Sequence, residues 1–572
     1  MNVAYQVGLS DRAGHRFHVA VQLPAGVDWV DFPSWAPGSY LMREFGRFAR
    51  DVHAHHAGAT VAVKRVSRNR WAVQGPCTLE YEVYGRDKTV RTAFLDEGLA
   101  FFLPSNLLVY VAGQRESTLA VQVPAGHWAV CPLGPEHAVL GAEGGTTVAV
   151  FHAPDLDTLM DSPVAIAPFE EAHFDVGGVI HQHWIERDHN GDLERMRADL
   201  RKIVEAASGL FGDGLPYRHY QFVTLHSQSG HGGLEHKDAS VLLVPRLSFG
   251  DPKGYEEFLT LAAHEHFHAW NVKRIHPAEL GPTFDYVNEA YTRELWWLEG
   301  GTVYYEERVA FLAGVVSPQR HLERLADLVT RLRSQPGRRH QSLEDSSFDA
   351  WIKLYRPSED AVNSTISYYL KGAVVLLCLD LEIRHRSEGR RSVDDLLRAL
   401  WQGWGQHGRG FPPGEIERIA VDLCAGGGDF SRWFAACVRG TDEVDVEAAL
   451  DHAGMDLVAA PPRAGGWLGV ELKGLTVLVV REDGPAAAAL SPGDELLSLD
   501  GLRLDSAGLA DRLTSLRPGM QVELMVSRDG RILERVLCLG RPSSGDLKIV
   551  PREHTDPGRS IVRGGWFTTA VY

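Results

Sequence analysis

The 572-residue chain is poor in the features that would direct it to nucleic acid, a membrane or an oxidising compartment. It carries 58 basic residues against 75 acidic ones, a formal net charge of −17. Phosphate backbones and anionic lipid surfaces need a cationic surplus, so neither nucleic acid nor membrane is expected among the partners. The excess acid reads as a solubility device. No apolar run approaches the roughly 20 residues of a membrane-spanning helix. The N-terminal "MNVAYQVGLSDRAG" has no basic stretch leading into an apolar one, so no secretory signal is expected. There are only six cysteines, scattered and without a CxxC pair, which fits reduced thiols in a cytoplasm better than a disulfide framework.

Glycine (58) and proline (29) supply turns throughout without a low-complexity tract. At about 150 residues per domain, the length allows roughly three or four domains. The expectation is a multidomain α+β protein. Residues 1–168 read as an N-terminal β-sandwich-like domain: "RFHVAVQLP", "TLEYEVYG" and "TLAVQVP" alternate apolar and polar residues, the period of half-buried antiparallel strands. Residues 169–458 turn to helical periodicity, first in "LERMRADLRKIVEAASGLFG" and then almost continuously from about 254. A linker, "PPRAGG", precedes short strands over 465–542. The Gly- and charge-rich residues 543–572 read as an extended tail.

"YEEFLTLAAHEHFHAWNV" lacks Pro and Gly and is rich in helix formers. Residues four apart share a helix face, so His264 and His268 point the same way, while His266 lies about 200° round from His264. His264-Glu265-His266-Phe267-His268 is an H-E-x-x-H pattern: two imidazoles suited to Zn²⁺ and a glutamate able to act as general base. His266 is left for packing or solvent. A third ligand is needed, and Glu289, Glu294 and Glu299 compete. Glu299 is favoured because "WWLEGGTVY" resembles the aminopeptidase helix that supplies a glutamate ligand; Glu289 then becomes a supporting or surface acid.

Three further stretches carry chemistry. "GGLEH" (Gly232, Gly233, Leu234, Glu235, His236) resembles the G-x-M-E-N strand of gluzincin aminopeptidases, whose glutamate pairs with the free α-amino group of a substrate. A carboxylate fixed at a set distance from a metal measures one residue from a peptide's N-terminus, and the glycines admit the substrate backbone closely. "SYYLKG" resembles the Y-x-K-G element of the same enzymes, with Tyr369 in reach of an oxyanion and Tyr368 as the neighbouring alternative. "GGWLGVEL", followed by a small-residue turn and "GDELLSLDG", resembles a PDZ domain; the backbone N–H groups of Leu468, Gly469 and Val470 would face a peptide carboxylate. Packing against the catalytic domain is the other reading of that segment.

Together with "FPSWAPGSYLMREF" and "HEHFHAWNVKRIHP", these motifs in this order resemble the glycyl aminopeptidase family of zinc peptidases with a C-terminal PDZ domain. The resemblance implies a thermolysin-like, mainly helical catalytic domain. It implies one Zn²⁺ on His264, His268 and Glu299, with Glu265 and Tyr369 catalytic and Glu235, Gly232 and Gly233 binding substrate. It also implies release of small N-terminal residues, Gly or Ala, from peptides with a free N-terminus. A zinc endopeptidase, or a catalytically weak PDZ-bearing binding protein, are the competing functions. Lys273 and Arg274 have only a helix-end charge role in this reading.

Overall fold

The alternation in the first 168 residues becomes sheet. In a computed structural model, which describes residues 1–568 apart from 135–137, 143–144, 213, 282, 425–429, 463 and 543–544, the strand Val3–Asp11 pairs antiparallel with Arg16–Leu23 and parallel with Ser117–Val123. The register sets Val7 against Val19, and Val19 against Tyr81 of the strand Cys77–Tyr84, so the buried side chains share one face. Seven strands form this sheet; a five-stranded sheet, in which Ala100–Phe102 and Trp128–Val130 flank Val164–Ala167, contributes to the same core.

A second five-stranded sheet opens the catalytic region. Val179–Glu186, His219–Ser227 and Ala239–Pro245 run parallel, and Gly232–Glu235 closes one edge antiparallel to Ala239–Pro245. Its Leu234, Val241 and Leu243 share a core cluster with Phe94, Phe101 and Val130 of the N-terminal domain, so the two domains are joined through apolar surface. Helices follow: Pro252–Phe267, Gly301–Leu312, Pro318–Arg333, Tyr368–Arg386 and Val393–Gly403 pack into the largest core. Asp251 caps the first, accepting from the Gly254 N–H at 2.9 Å ahead of Pro252, as helix starts favour.

The PDZ segment has its own core, centred on Leu496, Leu499, Leu524 and Val526. Its sheet runs Val470–Lys473, Thr476–Val480, Glu495–Leu499, Gln521–Arg528, Arg531–Cys538, with Val470–Lys473 outermost. The expectation of an extended tail at 543–572 is corrected. Leu547–Pro551 pairs antiparallel with Met455–Ala459, and Pro557–Trp566 is a helix. Leu547, Ile549, Val562 and Trp566 join the catalytic core, and Arg308 donates to the Trp566 carbonyl at 2.7 Å. The apolar pairs at i,i+2 and i,i+4 were hidden among charges and glycines; Asp556 before Pro557 was the readable helix start. The PDZ domain is therefore an insert, with the chain on both sides of it fixed to the catalytic domain by one two-stranded ribbon. No described helix is long and apolar enough to cross a membrane.

Candidate active site

The helix Pro252–Phe267 ends just where its histidines stand. His268 keeps helical angles as the C-cap (φ −62°, ψ −16°), so it still shares a face with His264. His264 Nδ1 lies 2.5 Å from Glu306 Oε2, and His268 Nδ1 lies 2.8 Å from the Asn271 carbonyl. Both acceptors take a ring N–H, which fixes the tautomers and leaves both Nε2 atoms as lone-pair donors. Those two Nε2 atoms face each other at 3.1 Å, with Glu299 Oε2 at 3.3 Å from His268 and 3.8 Å from His264. Ligands held about 2.0–2.1 Å from a tetrahedral zinc ion stand roughly 3.3 Å apart. Three converging lone-pair donors without a proton between them fit a divalent cation.

Glu299 is carried by a π-helical turn, Trp296–Gly300, that runs into the helix Gly301–Leu312. Such turns insert an extra residue into a helix and recur at functional sites. Asn271 ties this turn to the histidine helix: its carbonyl accepts from His268, and its amide donates to the Trp297 and Leu298 carbonyls at 3.2 and 3.0 Å. Val272, β-branched yet at φ 107°, makes the strained turn that holds Asn271 there. Gly300 meets Gly372 of the helix Tyr368–Arg386 so closely that a Cβ on Gly300 would stand 2.6 Å from the Gly372 Cα. That crossing explains both glycines of the E-G and K-G motifs. It brings Tyr369, one turn before Gly372, beside Glu299.

These groups line a cleft of about 770 Å³. Glu265 is buried in it; burial raises its carboxyl to about 7 against the pull of His264 and His268. Burial would also raise Glu299, but positive charge on His268 and His264, when their Nε2 atoms are protonated, outweighs it and holds that carboxyl at about 2; a bound cation would supply that charge in place of the protons. The strand Gly232–Glu235 lies across the histidine helix, and a Cβ on Gly233 would come 2.2 Å from Glu265 Oε1. Glu235 is 3 % exposed, and its Oε1, like Glu265 Oε2, has no hydrogen-bond partner among the described residues. Gly232 and Tyr369 also line the cleft, and the Tyr369 hydroxyl is 3.1 Å from that of Tyr355. Tyr368 is fully buried, its ring stacked on Tyr369.

Several residues escaped the sequence. Gly38, at φ 84°, packs from the N-terminal domain onto Glu235, where a Cβ would stand 2.3 Å from Oε1. Arg91 of the same domain reaches the cleft and donates to the Gly233 carbonyl at 3.0 Å. Both lie more than 140 residues from the glutamates they flank, and no local pattern marks them. Glu306 had a signal: seven residues after Glu299, it shares that helix face. His266 is no solvent residue. It is buried with Nε2 2.5 Å from the Tyr217 hydroxyl, which also meets His181 at 2.9 Å; burial keeps it neutral. Lys273 and Arg274 do more than end a helix. Lys273 pairs at 2.8 Å with Asp161, which burial would raise but Lys273 and His236 hold far below the usual carboxylate range. Arg274 pairs with Asp238 at 2.9 Å. Glu289 lies in an irregular segment and Glu294 just before the π turn; among the described residues neither joins a group able to hold a metal, whereas His264, His268 and Glu299 do.

In the PDZ segment the Leu468 carbonyl accepts from Ala486 N–H at 3.0 Å and the Gly469 carbonyl from Arg481 N–H at 2.9 Å. The N–H groups of Leu468 and Gly469 meet no acceptor among the described residues. Val470 begins the outermost strand.

Comparison with known proteins agrees with this layout. Residues 257–375 match the M61 glycyl aminopeptidase model, 4–168 the peptidase M61 N-terminal domain, and 454–536 a PDZ domain. No curated protein matches. The crystal structure of an aminopeptidase N family protein from Idiomarina loihiensis is 28% identical over 99% of this chain and 100% of its own, with a TM-score of 0.90. An M1 zinc metallopeptidase from Deinococcus radiodurans shares the fold at 16% identity, over 78% of this chain and 94% of its own, with a TM-score of 0.50. The chain thus resembles the M61 glycyl aminopeptidase family in its N-terminal and middle regions, with a PDZ domain set into its C-terminal part.

Proposed function

We propose that the protein is a zinc aminopeptidase that removes a small N-terminal residue, Gly or Ala, from peptides. The observation that carries this reading is one cleft holding three convergent lone-pair donors (His264, His268, Glu299) and two buried carboxylates with unpartnered oxygens, Glu265 and Glu235. One zinc ion per chain, when bound, would polarise the scissile carbonyl and acidify water at the open position. Glu265 takes a proton from the attacking water and returns it to the leaving amine. The Tyr369 hydroxyl donates to the developing oxyanion. Glu235 holds the substrate's α-ammonium group, and the Gly38 backbone behind it leaves little depth for a first side chain, consistent with Gly or Ala. Gly232 and Gly233 let the peptide backbone approach. Leu468, Gly469 and Val470 offer N–H groups to a peptide carboxylate.

The test is chelation. Gly- and Ala-anilide hydrolysis should vanish on metal removal and return with Zn²⁺, and N-acetylated peptides should be poor substrates. Equal cleavage of acetylated and free peptides would make the enzyme an endopeptidase and remove the role given to Glu235.

A further inference from the structure

The cleft does not end at the zinc site. A second cavity of about 720 Å³ adjoins it, the two sharing Glu257, Glu306, Arg324 and Tyr369 in their walls. Its far side is bounded by Glu471, on the outermost PDZ strand. The domain is held in that position. Asn363, buried, donates to the Val480 carbonyl and accepts from the Glu482 N–H, both at 2.9 Å, and His340 meets Glu482 at 2.7 Å. Val480 and Glu482 flank Arg481, whose N–H holds the Gly469 carbonyl. The end of the PDZ domain that faces the peptidase is thus the end bearing the two unpartnered N–H groups of Leu468 and Gly469. Successive N–H groups left open beside a glycine at φ 80° form a nest for an anion.

We infer that this nest and the outermost strand hold the C-terminal carboxylate of the same peptide whose N-terminus lies at Glu235, the intervening residues crossing the second cavity. The inference rests on the aminopeptidase reading. A peptide adding to Val470–Lys473 gains main-chain hydrogen bonds whatever its sequence. The wall of the second cavity carries basic and acidic side chains alike, so it selects no charge along the way. Selection then falls on length: the enzyme measures an oligopeptide from both ends, and a chain too short to span the cavity gains nothing from the PDZ domain.

The experiment uses the intact zinc-loaded enzyme and peptides beginning with Gly, of about 4 to about 12 residues (roughly 13 to 40 Å extended), each as the C-terminal acid and the C-terminal amide. Over one window of lengths the amide should lose about tenfold in kcat/KM through lost remote binding, and below that window acid and amide should be equal. Equality at every length overturns the inference. Ala-anilide, which has no end able to reach the PDZ domain, is run alongside. If it is cleaved while acid and amide stay equal, only the two-ended reading fails; if it is not cleaved, the aminopeptidase reading fails and this inference falls with it.

Discussion

Two buried clusters of charge sit on opposite sides of the helix Gly301–Leu312 and the π turn before it. On one side, Arg308 makes two bonds to Asp394, at 3.3 and 2.7 Å, and a third to the Trp566 carbonyl. Tyr304 donates to Asp380 at 2.7 Å, and Asp380 also accepts from Arg384 and from the Val393 N–H. Every carboxylate there has a cation or an N–H. On the other side, Glu265 and Glu235 keep unpartnered oxygens and two imidazole nitrogens face each other. Burial is similar in both, so burial does not distinguish them. In the first cluster both carboxylates find their partners within the chain, and the cluster joins the C-terminal helix to the core. The second leaves buried polar atoms open, and the proposed cation and substrate would complete it.

The comparison can be broken at several points. The largest effect should come from the first cluster: Asp394→Ala strands the Arg308 charge and should cost about 3–5 kcal/mol of stability, read from urea unfolding. An unchanged midpoint would remove the contrast. Glu265→Gln, in the second cluster, should leave stability near normal and zinc content intact by metal analysis. It should lose at least about 3 kcal/mol of transition-state stabilisation, roughly 150-fold in kcat/KM; near-normal turnover would sink the mechanism. Gly38→Ala adds a Cβ 2.3 Å from Glu235 Oε1 at a left-handed position, which costs roughly 1–2 kcal/mol. KM for free peptides should rise about tenfold with kcat little changed, as expected for weakened uniform binding; a fall in kcat alone would contradict the place given to Glu235.

The smallest effect per step is acid sensitivity. Burial lowers His183 to about 3 and His181 and His226 to about 4. Above pH about 6.5 these rings are neutral folded or unfolded. As pH falls below that value only the unfolded chain takes up their protons, so stability drops, by up to about 1.4 kcal/mol per pH unit for each ring, until the folded values are reached. Unfolding free energy measured between pH 7 and 4 should fall accordingly; a flat profile would mean the rings are charged in the folded protein.

Much of this was legible in one dimension. Period-two alternation foretold the N-terminal sheets, because one face of each strand is buried and the other is not. The H-E-x-x-H spacing placed His264 and His268 on one helix face, since the helix repeat is a local property. The tail was misread for the opposite reason: the few apolar residues among 543–572 gain their meaning only from the strand Met455–Ala459 and the core they meet. For His266 the sequence leaves packing and solvent both open, and the structure decides for packing, because the face pointing away from the cleft is buried by Tyr217 and His181, residues a sequence pattern cannot bring near.

The sequence by itself determined the chemistry on offer: two imidazoles a helical turn apart, a glutamate between them, a glycine-flanked Glu235, a tyrosine before Lys371-Gly372. Local stereochemistry writes these into the chain. Tertiary structure alone decided which partners complete them. The touching of Gly300 and Gly372 sets Tyr369 beside Glu299, the N-terminal domain presses Gly38 and Arg91 on the cleft, and Asn363 and His340 hold the PDZ segment at Val480 and Glu482. Those contacts join residues far apart in the chain through close packing of backbone on backbone, which no local pattern records.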